Sequence, residues 1–215
     1  VIGTDRELTS DESLRLQETN RTGFRLLNAD HTEAIFAVTP KLAVYSMAVD
    51  ESCPLLQKCQ SLGVATLSLP RALSQFLESR YQVCVAGTHG KSTTSGMIWS
   101  ILREAGCDPS AYVGGVMRSH CRSGVLGSGA VAVIESCEYR QSFLHLSPKM
   151  IVLTGIEPDH FDYFASQADC DQTFSDFAAQ LPSEGPLIFN HDCQRSSAIA
   201  ATCGRPTISF SLHGD

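Results

Sequence analysis

The sequence predicts an α/β protein with largely parallel sheets, because short apolar runs typical of strands alternate with segments of helical periodicity in both halves of the chain. Two further observations agree with this fold class. A glycine-containing turn separates a strand-like run from a helical segment at residues 81–105, and acidic residues directly follow two later strand-like runs. Side chains in such places indicate a ligand site at the carboxyl ends of parallel strands.

The individual elements follow from apolar spacing and from helix start and stop signals. For the first half the sequence predicts strand-like runs at 35–38, 42–45 and 64–67, with helices at 53–62 and 71–78. For the second half it predicts strands at 82–86, 130–134, 150–154, 187–189 and 207–210, with helices at 92–105 and within 169–181. A break near Ser79 to Arg80 divides the chain into two predicted domains, residues 1–79 and 80–215.

Composition limits the classes of function. The 215 residues are 43% hydrophobic, enough for one large or two small domains. The longest apolar runs, such as 130–134 and 150–153, are far shorter than the roughly 20 residues of a membrane helix. The first residues lack the basic and apolar regions of a signal peptide. We therefore expect a globular protein with no membrane insertion.

Charge and cysteine usage narrow the location and partners. The net charge is −7, and the 16 basic residues are scattered along the chain, so nucleic acid is not an expected partner. The nine cysteines include no C-x-x-C pair, which argues against structural zinc and indicates reduced thiols. The sequence therefore predicts a cytoplasmic protein.

Residues 87–94, GTHGKSTT, have the features of a phosphate-binding loop. Gly87 and Gly90 allow backbone N–H groups to converge on an anion, Lys91 adds a positive charge, and the following helix N-terminus favours the same anion. The hydroxyl of Ser92 is suited to bind a Mg²⁺ ion shared with nucleotide phosphates. Val85 stands where the general G-x-x-x-x-G-K-[ST] pattern has glycine, so the match is to a shorter form. The alternative is an ordinary solvated turn.

A second cluster follows the strand-like run at 130–134. Glu135 stands at its carboxyl end and is a candidate metal ligand beside the phosphate loop; the alternative is a strand cap that faces water. Glu138 and Tyr139, a few residues later, are interpreted as architectural. His89, inside the loop, either contacts phosphate or only exposes its backbone.

A third cluster follows the run at 150–154. Asp159, His160 and Asp162 combine an imidazole with carboxylate oxygens, a mixture that suits Mg²⁺ or Mn²⁺ near phosphate. His160 could instead be a hydrogen-bonded loop residue, and both aspartates could stand at the start of a helical turn.

Three segments together resemble the Mur ligase family, which makes peptide bonds in peptidoglycan synthesis at the expense of ATP: GTHGKSTT at 87–94, ESCEYRQSFLHLSP at 135–148 and LTGIEPDHFDYF at 153–164. The sequence of the second segment is most similar to that of the branch that adds L-alanine to UDP-N-acetylmuramate. The family usually has T-N-I where this chain has Thr154, Gly155 and Ile156. That departure removes one amide side chain near the expected metal site.

The resemblance implies two domains. Residues 1–79 would be a truncated Rossmann-like UDP-sugar-binding domain without its first strand and glycine-rich loop, similar to the family at 2–5, 44–49 and 69–72. Residues 80–215 would be a P-loop-type, mostly parallel α/β central domain that binds ATP. The family's C-terminal ligase domain would be missing, and the isolated chain is expected to be inactive.

The resemblance also implies an ATP- and Mg²⁺-dependent reaction through an acyl phosphate, with UDP-N-acetylmuramate, L-alanine and ATP as small-molecule substrates. The implied catalytic residues are Lys91, Glu135 and His160. The implied magnesium ligands are Ser92, Glu135 and His160. The implied ATP-binding residues are Gly87, Thr88, His89, Gly90, Lys91, Ser92 and Thr93.

Other functions stay open. Within the family, a tripeptide-recycling ligase or a folate-glutamate ligase would share these motifs. From other classes, a P-loop kinase or a nucleotide-binding module would need no upstream UDP-sugar domain. Binding of UDP-N-acetylmuramate by residues 1–80 distinguishes these classes from the ligases.

Overall fold

The computed structural model describes residues 2–5, 25–28, 32–37, 39–117, 122–157 and 163–213. It divides the chain into two compact units, Val1–Leu69 and Pro70–Asp215. The division falls before the predicted position at Ser79 to Arg80. The helix that begins at Leu69 lies, from Pro70 on, in the second unit, where the Ser74 hydroxyl lies 3.1 Å from that of Ser147.

The first unit contains two parallel strand pairs. Strand β1 (Ile2–Asp5) pairs with β2 (Arg25–Asn28), and β3 (Leu42–Tyr45) pairs with β4 (Ala65–Ser68). Helix α2 (Pro54–Ser61) connects β3 to β4, with proline in its first turn and with Leu56 and Cys59 buried. The predicted strand-like run at 35–38 is wrong at Ile35, which lies buried in helix α1 (Thr32–Phe36). A four-residue apolar run does not distinguish a strand from a helical segment.

The second unit is built on a seven-stranded sheet. In chain order its strands are β5 (Tyr81–Ala86), β6 (Ser110–Met117), β7 (Arg122–Val125), β8 (Val131–Glu135), β9 (Met150–Leu153), β10 (Leu187–Asn190) and β11 (Thr207–Phe210). Their order across the sheet is β11-β10-β9-β5-β8-β6-β7. All neighbours are parallel except β6 and β7, which are antiparallel. The predicted α/β class with a mostly parallel sheet is confirmed.

Helices complete the second unit: α3 (Leu69–Phe76), α4 (Lys91–Glu104), α5 (Gln167–Ala179), α6 (Gln194–Thr202) and a 3-10 segment at Tyr139–His145. Every predicted strand and helix of this half has an observed counterpart. The sequence did not predict β6, β7 or α6, whose residues lack clear apolar periodicity. Among the described residues, no helix is both long and apolar enough to cross a bilayer.

The core lies on both faces of the sheet, and alternate residues of β5 contribute to each. Cys84 and Ala86 face a cluster that contains the stacked rings of Phe143 and Phe177, 4.3 Å apart. Val83 and Val85 face a second cluster around Trp99 of α4. Burial raises the pKa of the Cys84 thiol to about 12, so this cysteine stays protonated inside the core.

Helix α4 turns only part of its apolar residues toward the core. Ile98 and Leu102 pack against the cluster around Trp99, whereas Met97 and Ile101 are exposed. Ser95 and Trp99 are buried instead, and the Trp99 indole donates to the Pro109 carbonyl at 3.0 Å. The indole therefore fixes the distance between α4 and the start of β6.

His145, at the end of the 3-10 segment, makes stability depend on pH. The Arg71 Nε donates to its Nδ1 at 3.5 Å. Burial, and then the charge of Arg71, lower the pKa of His145 below its ordinary value. A proton therefore binds the unfolded chain more tightly. This contribution to stability is complete above the unfolded pKa of about 6.5 and is lost as the pH falls through the lower folded-state pKa.

We expect the His145→Gln variant to lose less unfolding free energy between pH 7.5 and pH 5 than the wild type, because it no longer binds that proton on unfolding. Urea unfolding at the two pH values measures the difference. Arg71→Gln should show a smaller change in the same direction, since burial, the larger cause, remains. If His145→Gln lost as much unfolding free energy between the two pH values as the wild type, His145 would not be the group responsible.

Candidate active site

The site lies where three neighbouring strands end. Val85 of β5 pairs with Glu135 of β8, and Ala86 pairs with Leu153 of β9. The loops that leave these strands therefore start side by side at the carboxyl edge of the sheet. This is the arrangement that the sequence analysis predicted for the phosphate loop and the Glu135 cluster.

Glycines shape the phosphate loop. Gly90 has a φ of 80° and stands immediately before α4, which begins at Lys91 rather than at the predicted residue 92. Gly87 has a φ of 137°, and a Cβ there would lie 2.7 Å from the Gly155 carbonyl oxygen and would also collide with the Thr154 hydroxyl. Side chains rarely adopt such a φ, so both dihedral angle and space require glycine at 87.

The Lys91 ammonium contacts four oxygen atoms. Nζ donates to the carbonyls of Gly87 at 2.6 Å and Thr88 at 3.0 Å. It also lies 3.2 and 3.1 Å from the two carboxylate oxygens of Glu138. The side chains are 13% exposed for Lys91 and 2% exposed for Glu138, so this is a nearly buried ion pair. Sequence reasoning treated Glu138 as architectural and did not connect it with the loop lysine.

A tight turn at residues 137–143 follows β8 and contains Glu138, which contacts Lys91 at the end of the phosphate loop. Arg140 and Gln141 have φ values of 51° and 55°, a conformation that non-glycine residues adopt uncommonly. The Ser142 hydroxyl and the Phe143 N–H both donate to the Cys137 carbonyl, at 2.7 and 3.0 Å. Because Phe143 is anchored in the core, this turn fixes the backbone around Glu138.

Ser92 and Glu135 meet at the edge of the sheet. The Ser92 hydroxyl donates to Oε1 of Glu135 at 2.9 Å, and the Gly114 N–H of β6 donates to Oε2 at 2.5 Å. Ser92 and Gly114 are exposed and Glu135 is half-buried, so a ligand can reach the pair. Burial, and then the neighbouring Glu135 and Cys137, raise the pKa of Tyr112, which therefore stays neutral.

Two threonines connect the phosphate loop to the loop after β9. The Thr88 hydroxyl donates to the Glu157 carbonyl at 3.1 Å and accepts from the Glu157 N–H at 2.9 Å. The Thr154 hydroxyl donates to the His89 carbonyl at 2.6 Å. The His89 ring itself is 74% exposed, with its Nε2 3.7 Å from a Glu157 carboxylate oxygen. The Thr88 side chain thus contacts the neighbouring loop, while Thr93 is exposed on the first turn of α4.

Comparison with known proteins agrees with this geometry. The family model described as the Mur ligase middle domain matches residues 85–215. The chain is a member of the Mur ligase family. The match begins at Val85 near the end of β5 and covers the phosphate loop and every later element of the sheet, so the resemblance inferred from the three motifs is confirmed for the family.

Two curated relatives of this Mur ligase share one name. A UDP-N-acetylmuramate–L-alanine ligase of Desulfitobacterium hafniense is 35% identical over 172 residues, covering 80% of this chain and 38% of the relative. A protein of the same name from Salinibacter ruber is 32% identical over 211 residues, covering 98% and 43%. The chain thus spans about two fifths of the length of these relatives.

Solved structures show the same fold. The UDP-N-acetylmuramate:L-alanyl-gamma-D-glutamyl-meso-diaminopimelate ligase of Neisseria meningitides superposes with a TM-score of 0.84 at 25% identity, covering 97% of this chain and 69% of that one. The UDP-N-acetylmuramate-alanine ligase of Thermotoga maritima superposes with a TM-score of 0.81 at 20% identity, covering 99% and 47%.

All three residues of the third predicted cluster, Asp159, His160 and Asp162, lie outside the described residues, and their roles stay predictions. Gly155, where the family usually has asparagine, has a φ of 154° and accepts a hydrogen bond from the Thr88 N–H at 2.8 Å. The Asn190 amide donates to the Thr154 carbonyl at 3.0 Å, so another amide side chain stands next to this position.

The residues present fit a magnesium ion. The Ser92 hydroxyl and the Glu135 carboxylate are hard oxygen donors that already touch one another. Within the described part of this Mur ligase, no group of three or more His, Cys, Asp or Glu residues could hold a metal alone. In nucleotide sites Mg²⁺ usually takes one or two protein carboxylates, with substrate phosphates and water as its other ligands.

Proposed function

We propose that this Mur ligase is an ATP-dependent, amide-forming enzyme of peptidoglycan precursor synthesis that joins L-alanine to UDP-N-acetylmuramate in the cytoplasm. The observation that carries the proposal is the convergence of Lys91, Ser92 and Glu135 at the ends of the adjacent strands β5 and β8. The relatives at 35% and 32% identity support the choice of substrates. The parallel β3-α2-β4 unit supports a Rossmann-like, UDP-sugar-binding first domain.

The proposed reaction first activates a carboxylate, which is a poor acyl donor. A carboxylate oxygen of the sugar substrate attacks the γ-phosphorus of ATP, and ADP leaves, giving an acyl phosphate. The amine of L-alanine then attacks the acyl carbon. Inorganic phosphate leaves and the nitrogen loses its extra proton, so that an amide remains.

The chain contributes mainly position and charge. Lys91 and the loop N–H groups would hold the β- and γ-phosphates and stabilise the charge that develops during transfer. Ser92, Glu135 and His160 would hold magnesium, which when bound neutralises phosphate oxygens. The Gly114 N–H keeps the Glu135 carboxylate turned so that its other oxygen meets Ser92.

A second candidate is supported by a specific observation. The ligase of Neisseria meningitides, whose name specifies a tripeptide acceptor, superposes on 97% of this chain with a TM-score of 0.84. The two sequences are 25% identical. In this second candidate, the acceptor of the present enzyme is a preformed peptide rather than L-alanine. The chemistry at the phosphate loop would be the same for both.

One assay separates the candidates. The full-length protein is incubated with ATP, Mg²⁺, UDP-N-acetylmuramate and either L-alanine, another single amino acid or the tripeptide, and phosphate release and product mass are measured. We expect release and an amide product with L-alanine. Turnover with the tripeptide alone would support the second candidate. Phosphate transfer without UDP-N-acetylmuramate would instead indicate a kinase.

Gly114→Ala should raise the Mg²⁺ concentration needed for half-maximal activity several-fold. A Cβ at this position would lie 2.9 Å from Oε1 of Glu135 and 3.2 Å from Oε2, and would push the carboxylate away from Ser92. Activity measured over a Mg²⁺ titration tests this.

Gly115→Ala is the matched control. The nearest atom to its Cβ would be the Ser92 Cβ at 4.0 Å, an ordinary contact. Its Mg²⁺ dependence should equal that of the wild type. Equal Mg²⁺ dependence for the two variants would remove Glu135 from the proposed metal site.

A further inference from the structure

The Lys91 ammonium contacts four oxygen atoms of the protein. It has three protons to donate. Its partners are two carbonyl oxygens of the loop and the two oxygens of Glu138, all between 2.6 and 3.2 Å away. Neither carbonyl carries a net charge, so Glu138 supplies the only anionic contact that the structure describes for this ammonium.

Glu138 cannot easily leave this position. Its side chain is 2% exposed, and its neighbours in sequence are tied into the turn closed by Phe143 and Ser142. An ion pair exposed to water has a weak electrostatic attraction. Here both charges are largely removed from water, so the attraction between Lys91 and Glu138 is strong. The carboxylate therefore defines where the Lys91 ammonium lies.

We propose that Glu138 is a positioning residue that holds Lys91 in the geometry needed for phosphoryl transfer; the inference rests on the proposed ATP-dependent function of the same loop. Glu138 itself contacts no reacting atom. Because the loop carbonyls and the carboxylate fix the ammonium on one side, it is confined near the Gly-rich turn that receives the phosphates. Confinement of a charged group raises the rate more than it raises affinity.

Glu138 favours the reaction rate by holding Lys91, but it disfavours the binding of ATP. Its negative charge lies about 3 Å from Lys91 and repels phosphate oxygens that approach the same ammonium. Removing the charge should therefore strengthen the ground-state binding of ATP while it weakens control of the lysine. A residue that only stabilises the fold would change neither quantity once the variant is folded.

The test compares Glu138→Gln with the wild type in the full-length protein. We expect kcat to fall about tenfold or more, while the dissociation constant of Mg-ATP, measured by calorimetry, falls by up to about tenfold. Glu104→Gln, an exposed glutamate at the other end of α4, is the matched control and should change neither constant. Equal kcat for Glu138→Gln and the wild type would overturn the proposal.

Two further measurements keep the proposal testable. Glu138→Asp retains the charge but shortens the side chain, so kcat should fall with ATP affinity unchanged. An unchanged kcat in this variant would also overturn the proposal.

Acetylation of Lys91 by an N-hydroxysuccinimide ester, followed by mass spectrometry, should be at least threefold faster in Glu138→Gln. This second readout needs no ATP. If the wild type bound no ATP, the proposed function would fail, while an unchanged acetylation rate would refute the control of Lys91 by Glu138.

Discussion

Lys91→Met in the full-length protein should reduce ATP-dependent ligation about a thousandfold or more, because the variant keeps the length of the side chain but loses the charge that faces the phosphates. Phosphate release with UDP-N-acetylmuramate and L-alanine measures the loss. The same substitution removes the Lys91 charge from the 2%-exposed Glu138 carboxylate. We therefore expect the free energy of unfolding to fall by about 3 kcal/mol.

The double variant Lys91→Met/Glu138→Gln separates the two effects. It removes both charges of the pair, so most of the lost unfolding free energy should return, while ligation stays absent. Denaturant unfolding and the ligation assay on the same samples provide the comparison. Recovery of ligation in the double variant, or near-normal activity in Lys91→Met, would contradict the phosphate-site assignment.

Gly87→Ala should lower kcat/KM for ATP about a hundredfold and destabilise the fold by about 2 kcal/mol. The φ of 137° is unfavourable for alanine, and the added Cβ would lie 2.7 Å from the Gly155 carbonyl oxygen. Relief of these contacts requires the loop to move away from the start of the β9 loop. Steady-state kinetics over a range of ATP concentrations, together with thermal unfolding, measure both effects.

The matched control is Gly96→Ala on helix α4, which follows the phosphate loop. No atom lies within 4 Å of the Cβ that it would add, and its backbone is helical. Alanine there should leave ATP kinetics unchanged and raise stability by roughly 0.5–1 kcal/mol. If both alanine variants behaved alike, the steric argument for Gly87 would be wrong.

The sequence predicted the parts of this Mur ligase that depend on local patterns. The strand before the loop, the glycines at 87 and 90 and the α4 helix occur together in the order that a phosphate site requires, and the structure has them in that order. The proximity of Ser92 and Glu135 was also predictable, because residues at the carboxyl ends of parallel strands share one edge of the sheet.

Other features depend on contacts that local patterns do not contain. Glu138 contacts Lys91 across a sequence separation of 47 residues. The turn that follows Glu138 has positive φ values at Arg140 and Gln141, which no residue type there demands. Strand β6 contains Gly114 and Gly115 and an irregular register with β7, so it lacks a clear period of two. Helix α6, with the sequence QRSSAIAAT, buries mainly small residues and has little apolar periodicity.

The hydrogen bonds of Thr88 and Thr154 have a thermodynamic consequence for ligand binding. The Thr88 hydroxyl joins the phosphate loop to the Glu157 backbone in the loop after β9, and the Thr154 hydroxyl of that loop donates back to the His89 carbonyl. Lys91 joins the same turn to Glu138 in the loop after β8. A turn held from both flanks has little conformational entropy left to lose when a triphosphate arrives. The enthalpy of the new contacts is then available for affinity, and association should proceed at the rate of encounter rather than of loop rearrangement.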